Sequence, residues 1–167
     1  MRSPISESGG DENVRIRIAV PADAPCVESV LRESFVEYKA LYTPEGFAAT
    51  TPASDQILGR MKEGPLWVIS LNDSIVGTVS TIHHGEELYI RGMAVLPAGR
   101  GRGTGQLLLQ HIENYARARG YQRLALSTTP FLHQAIRLYE RFGFRRSEQG
   151  PHDLFGTPLF TMAKNLD

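Results

Sequence analysis

Four glycines, Gly99, Gly101, Gly103 and Gly105, recur at every second position in the stretch VLPAGRGRGTGQLLL, with Arg100 and Arg102 between them. A leucine-rich segment follows at once. A glycine loop that opens a helix presents free backbone N–H groups, and the helix dipole adds positive potential at that end. Glycine lets an anion approach the chain with no side chain in the way. The arginines add charge-assisted donors. The chemistry open to this pattern is cradling a phosphate or pyrophosphate. Taken alone, such a stretch also reads as an ordinary surface turn.

Two familiar phosphate loops do not fit. A Walker A loop ends in Gly-Lys-Ser/Thr, and Gly105 is followed by Gln106. A dinucleotide fingerprint needs G-x-G-x-x-G behind the first strand of a strand–helix repeat; here the spacing is G-x-G-x-G, after several strand-like runs. Elsewhere, Tyr139 lies on an amphipathic face, where a phenol reads as core or as a proton donor. Glu86 and Glu87 read as solvated turn residues or as candidate bases. His83 and His84 are adjacent, a poor spacing for a shared metal, so no metal is expected. Phe35, Tyr38, Tyr42 and Phe47 form an aromatic cluster; the two tyrosines, with polar tips, suit a pocket wall better than a core.

These residues need a frame. The chain has 167 residues, enough for one domain and short for two. Eighteen basic side chains balance eighteen acidic ones, so any anion site must be local. That balance argues against reading RGRG as a nucleic-acid motif, and no nucleic-acid or membrane partner is expected. The single cysteine, Cys26, suits a reducing compartment. With no apolar run of spanning length and no signal-like N-terminus, the cytoplasm is the expected location. Residues 1–13 read as a disordered tail and 14–167 as the domain.

Alternation at Val14, Ile16 and Ile18 predicts a strand. A helix follows, capped by Asp23, with Val27, Val30, Leu31, Ser34 and Phe35 on one face. A short helix is expected near 54–62, then strands over 66–71, 75–83 and 87–95 joined by turns at LNDS and HHGEE. Pro97 ends the third strand. A helix over about 104–119 buries Leu108, Ile112 and Tyr115 and stops at Gly120. RLALST reads as a central strand, the spacing of Leu132, Ala135, Ile136, Tyr139 and Phe142 as another helix, and 144–148 with 159–163 as a last strand pair. The result is a mixed α/β domain, antiparallel strands first and a strand–helix–strand crossover after.

Placed in this frame, the loop resembles the signature of the GNAT superfamily of acetyl-CoA-dependent acyltransferases. That signature is a strand ending in V-x-P, then Q/R-x-x-G-x-G/A opening a helix; Val95, Pro97, Arg100, Gly103 and Gly105 match it. AIRLYERFGF is similar to the family block A-x-x-L-Y-E-x-x-G-F through Ala135, Leu138, Tyr139, Glu140, Gly143 and Phe144. RIAVPADAPCVESVLRESF and FTMAKNL resemble its opening and closing segments, so the likeness spans roughly 14–166. One position departs: family members often carry Asn seven residues before the tyrosine, and Leu132 stands there.

The resemblance implies a mostly antiparallel sheet with a central splayed parallel strand pair and helices on both faces. It implies transfer of an acetyl group from acetyl-CoA, as cosubstrate, to a primary amine of a small molecule or peptide. The cofactor set is then Met93 and Val95 along the arm, and Arg100, Gly101, Arg102, Gly103, Thr104 and Gly105 around the pyrophosphate. Met93 N–H would face the thioester carbonyl and Tyr139 would protonate the departing sulfur. A phenol stays protonated at neutral pH, as that task requires. For the base, relatives use a strand glutamate; the aligned position is Tyr89, and Glu87, two residues earlier on the same face, is the first candidate. Tyr38, Tyr42 and Tyr89 are the expected acceptor-binding residues, under the loop EQGPHDLF. Pro97 is expected to part the Met93–Val95 strand from RLALST, leaving Val95 without a partner there. A non-catalytic acyl-CoA-binding module is the alternative. The chain is expected to act as a monomer or homodimer, and the acceptor stays open among small amines, amino acids, drugs and peptide N-termini.

Overall fold

β1 (Val14–Ile18) pairs antiparallel with β2 (Leu66–Leu71), Ile16 standing opposite Ile69. They belong to a computed structural model that describes residues 13–167; the tail reading of 1–12 lies outside the described residues. Between β1 and β2 run α1 (Ala24–Phe35), α2 (Pro44–Thr50) and α3 (Ser54–Glu63), with a 3-10 stretch at Val36–Leu41. Val27, Val30, Leu31 and Ser34 are buried on α1, as their spacing requires. Asp23 occupies the N-cap position of α1, but its side chain makes no capping bond there. It ends the 3-10 turn Pro21–Asp23, and its carboxylate reaches back to accept the Val20 N–H at 2.8 Å and to pair with Arg17 at 2.7 Å. α2 has no clear apolar stripe; its start is set by Thr43, whose hydroxyl accepts the Gly46 N–H at 3.0 Å, with Pro44 behind it.

β2, β3 (Ser74–His84) and β4 (Glu87–Val95) make a meander. Asn72 and Asp73 turn the first hairpin at φ 50° and 72°, the left-handed pair that matches strand twist. After the glycine loop come α4 (Thr104–Ala118), β5 (Arg123–Thr128) parallel to β4, and α5 (His133–Arg141). The chain closes with β6 (Arg145–Ser147), a small hairpin of β7 (Asp153–Leu154) and β8 (Thr157–Pro158), and β9 (Phe160–Asn165). Sheet order is β1-β2-β3-β4-β5-β9-β6, so β9 lies between β5 and β6 and pairs with both. The last strand pair is thus narrower on one side than the apolar pattern implies, because Phe144 is buried in the core rather than laddered.

Both faces of the sheet are covered, which is why β2 is apolar and buried over Leu66, Trp67, Val68 and Ile69. Trp67 and Ile69 pack with Leu108, Leu109 and Ile112 of α4, while Leu66 and Val68 pack with Val27 and Leu31 of α1 and Ile57 of α3. Each fully buried Leu or Ile contributes roughly 2 kcal/mol. Tyr115 is half-buried, and Ala116 completes the inner face of α4. Gly120, at φ 81°, follows its last turn. No helix among the described residues is long and apolar enough to cross a membrane.

The feature that shapes the centre is a β-bulge. Arg91 opposes Ser80 and Ala94 opposes Thr78, so Gly92 and Met93 together face Val79. Gly92 takes φ 74°, a conformation glycine adopts without strain. The parallel ladder from β4 to β5 covers Glu87–Ile90 against Arg123–Leu126 and stops there. The strands therefore part just before Gly92, earlier than Pro97 alone would dictate.

Candidate active site

The four alternating glycines divide into two pairs. At Gly101 and Gly103, φ is 77° and 74° and a Cβ would meet nothing within 4 Å; these leave an open concavity in front of the loop. At Gly99 and Gly105 the need is packing. A Cβ on Gly99 would lie 3.2 Å from Val76, and one on Gly105 2.8 Å from Leu138 Cδ2. Thr104 closes the loop from inside, its buried hydroxyl donating to Gly99 O at 2.8 Å. Leu107 N–H makes the first helical bond, to Gly103 O at 3.0 Å. The N–H groups of Thr104, Gly105 and Gln106 precede that bond and point out of the helix end toward the concavity.

Arg100 departs from its expected part. Its Nε donates to Val95 O at 3.1 Å, Nη2 to Ser34 O at 3.1 Å and Nη1 to Glu37 at 3.2 Å, while its N–H bonds Pro97 O at 3.2 Å. It ties the end of α1 to the end of β4 instead of presenting a free guanidinium to an anion. Leu96 N–H donates to Val76 O at 2.7 Å. By antiparallel alternation, the N–H and C=O of Val95 then face away from β3, onto the side where β5 has left.

Two cavities meet through this parting. The first, of about 290 Å³, is lined by Val95, Gly101, Gly103, Thr104, Gly105 and Gln106, with Tyr38, Gln134, Leu138 and Arg141 around it. The second, of about 620 Å³, is lined by Tyr42, Tyr89, Arg60, Arg91, Thr129 and the β7–β8 hairpin residues Asp153, Leu154 and Phe155. Phe35, Met93, Leu132, Ala135 and Tyr139 line both. Neither β3 nor β5 pairs with Met93 in the ladder. The hairpin is fixed against α2 by Thr43, whose N–H donates to Thr157 Oγ1 at 2.9 Å and whose hydroxyl donates to Phe155 O at 2.8 Å.

Tyr139 is buried, with its ring edge-on to Phe144 at 5.9 Å. Burial, with a smaller contribution from nearby Tyr42, pushes its phenol up to about 12, so it holds its proton throughout any physiological range. Burial also raises Tyr42, against the opposing effect of the Thr50 and Thr129 hydroxyls. Tyr42 packs on Phe131 and Phe47, at 5.0 and 5.9 Å between ring centres. Tyr89 donates to Ser127 Oγ at 2.7 Å from the wall of the second cavity. Tyr38 lies on the first cavity, not the second, because the 3-10 stretch carries it toward the glycine loop.

Glu87 is not brought to the site. Its Oε1 accepts from Arg123 Nε at 3.0 Å and its Oε2 lies 3.3 Å from His84 Nδ1. It starts β4, six residues and about 20 Å of strand from Met93. Facing the same way as Tyr89 does not suffice, because distance along the strand decides. Sequence reasoning also missed Arg60, Arg91 and Arg141; only Gly92, an isolated glycine inside a strand pattern, signalled the bulge beside two of them. Among the described residues no cluster of metal-ligating side chains occurs.

Residues 28–144 match the Acetyltransferase (GNAT) family. The uncharacterised N-acetyltransferase YjgM of Escherichia coli (strain K12) is 30% identical over 128 residues, 73% of this chain and 76% of that protein. The crystal structure of PaiA N-acetyltransferase from Thermoplasma acidophilum in complex with coenzyme A superposes with TM-score 0.79 at 16% identity, over 92% of this chain and 99% of that one. YncA of Salmonella typhimurium, solved with its cofactor acetyl-CoA, gives TM-score 0.69 at 23% identity, over 92% and 94%.

Proposed function

From the premise that this chain belongs to the Acetyltransferase (GNAT) family, we propose that it transfers acetyl from acetyl-CoA to a primary amine by direct attack across the two joined cavities. The observation that carries this is the meeting of the cavities at Met93 and Tyr139, where β4 and β5 have parted. The first cavity fits the donor. The N–H groups of Thr104, Gly105 and Gln106, beside the open space at Gly101 and Gly103, would hold the pyrophosphate, with Arg141 on the cavity wall and Arg102 within the loop itself. Val95, facing the gap, would pair with the pantetheine arm as an added strand does. Acetyl-CoA supplies the thioester, and the chain's own residues orient it and manage charge and protons.

Met93 N–H donates to the thioester oxygen as negative charge develops on it. Tyr139 holds the proton that the leaving sulfur needs. The amine enters through the second cavity past Tyr42 and Tyr89. Only about one in 10³ of ordinary alkyl amines is neutral at pH 7, so the site must take it in that form. With Glu87 engaged by Arg123, deprotonation falls to water in the second cavity rather than to that carboxylate. The exposed free thiol of Cys26 agrees with action in the cytoplasm. The test is an acceptor screen with acetyl-CoA that follows free thiol and acetylated amine together. Stoichiometric release of both supports transfer. Tight acetyl-CoA binding with no acetylated amine from any acceptor would make the chain an acyl-CoA-binding module.

A further inference from the structure

The acceptor cavity carries two cations on one wall. Arg60, from α3, and Arg91, from β4, line it, and both also line an adjoining groove of about 340 Å³ beside α2 and α3. They stand where cavity and groove join. Arg60 lies over the bulge: Nη2 donates to Ala49 O at 3.2 Å, and a Cβ on Gly92 would be 3.1 Å from Nη1. Arg91 donates to Glu63 at 2.7 Å, while its Nε is buried with no hydrogen-bond partner. Burial and then the like charge of Arg91 lower the proton affinity of Arg60, against a smaller contribution from Glu63. The remaining charged side chain on this cavity is Asp153, exposed on the hairpin, its Oδ1 accepting from Gly156 N–H at 2.8 Å. Glu63 is itself about half exposed. Among the described residues, two part-buried guanidiniums side by side are thus met only by exposed carboxylates, Glu63 on Arg91 and Asp153 on the hairpin; no buried anion faces them, and Arg91 Nε keeps no partner.

We propose that Arg60 and Arg91 bind a carboxylate of the acceptor, which makes the substrate class a free amino acid: a primary amine with a carboxylate a few bonds away. This rests on the acetyl-transfer reading above. The short separation follows from Gly92, against which Arg60 packs and whose peptide bond carries the Met93 N–H assigned to the oxyanion, so a carboxylate held by Arg60 stands near the reacting carbon. In the reaction, the amine nitrogen forms a bond to the acetyl carbon, the carbon–sulfur bond breaks, and the amine's proton is balanced by the one delivered to sulfur. The carboxylate keeps its charge and only orients the nucleophile. An amine with no anion, or a polyamine, meets two cations instead.

The experiment compares the twenty amino acids with their carboxamides, and putrescine with both, using the intact protein and its Arg60→Gln and Arg91→Gln variants. A calorimetric arm titrates the N-acetyl amino acids and their amides into the protein with CoA bound, so the carboxylate site is read without turnover. Amidation is expected to lower kcat/KM about 10- to 100-fold, chiefly through KM, and to weaken product binding equally. Either glutamine variant should erase that difference while leaving acetyl-CoA affinity, the measure of intact folding, unchanged. Carboxamides, putrescine or short uncharged peptides acetylated as well as free amino acids would overturn the inference, as would selectivity surviving in both variants. Failure of every amine to be acetylated would overturn the transfer reading, and calorimetry would still decide the carboxylate site.

Discussion

Replacing Tyr139 by phenylalanine removes one oxygen from a buried ring whose edge contact with Phe144, at 5.9 Å, stays in place. The size of the effect follows from the phenol's environment. At about 12, the Tyr139 phenol is a weaker acid than an ordinary thiol near ~8.5, so full proton transfer to a solvated thiolate is uphill by about 5 kcal/mol. The phenol therefore works first as a hydrogen-bond donor to the sulfur as charge builds, and the proton follows because the same dry site raises the thiolate's basicity. A hydrogen bond to a charged group contributes roughly 1.5–3 kcal/mol, which corresponds to about 10- to 150-fold in rate. Tyr139→Phe should lower single-turnover thiol release about 10²-fold at saturating acceptor, with acetyl-CoA affinity unchanged. The raised phenol also has a stability consequence. Its contribution is complete below pH ~10, the unfolded value, and is lost as pH rises toward about 12. No alkaline limb from this group should appear in the rate below that range. An unchanged rate, with chemistry shown to be limiting, would remove Tyr139 from the reaction; a limb near pH 10 that vanishes in the variant would refute the role given to burial.

Glu87→Gln should change the acetylation rate within about 2-fold, against the 10²–10⁴ typical of a lost general base; a loss of that larger size in steady-state assays would return Glu87 to the mechanism. Gly103→Val should raise the calorimetric Kd for CoA at least about 10-fold by filling the space before the loop, and lower stability by about 1–2 kcal/mol because the residue sits at φ 74°. Buried Glu113 is raised by its burial, but hydrogen bonds from Lys164 and Arg117 outweigh this and hold it below the usual carboxylate range. Its stabilisation is present above the unfolded value of 4.5 and lost as pH falls through the folded value. Glu113→Gln should therefore cost about 2 kcal/mol at pH 7 by urea unfolding, and progressively less as pH falls below 4.5.

The frame was legible because side-chain period and burial coincide. Val27, Val30 and Leu31 point into one face of the sheet, Leu108 and Ile112 into the other, and each set keeps its helical spacing. Turn residues located the hairpins, Asn72 and Asp73 supplying the positive φ that the first requires. What failed has physical causes outside the period. Asp23 looks like a cap by residue type, but Pro21 starts a 3-10 turn first and Arg17 takes the carboxylate. The β7–β8 hairpin is two residues wide on each side, too short for any alternation to show. In the site, Gly101 and Gly103 were readable from spacing and Tyr139 from its block. Arg100 was not, since only the fold brings Ser34 O and Glu37 to its guanidinium. Arg60 and Arg91 stand 31 positions apart and converge only through the bulge at Gly92.

The central claim is that the gap between β4 and β5 is the path of the donor, and a crystal structure of the CoA complex tests it most directly. Pyrophosphate oxygens within hydrogen-bonding distance of the N–H groups of Thr104, Gly105 and Gln106, a pantetheine amide paired with Val95, and the sulfur beside the Tyr139 hydroxyl are the predicted result. Phosphates bound away from this loop, or an arm that bypasses the gap between Met93 and Leu126, would contradict it.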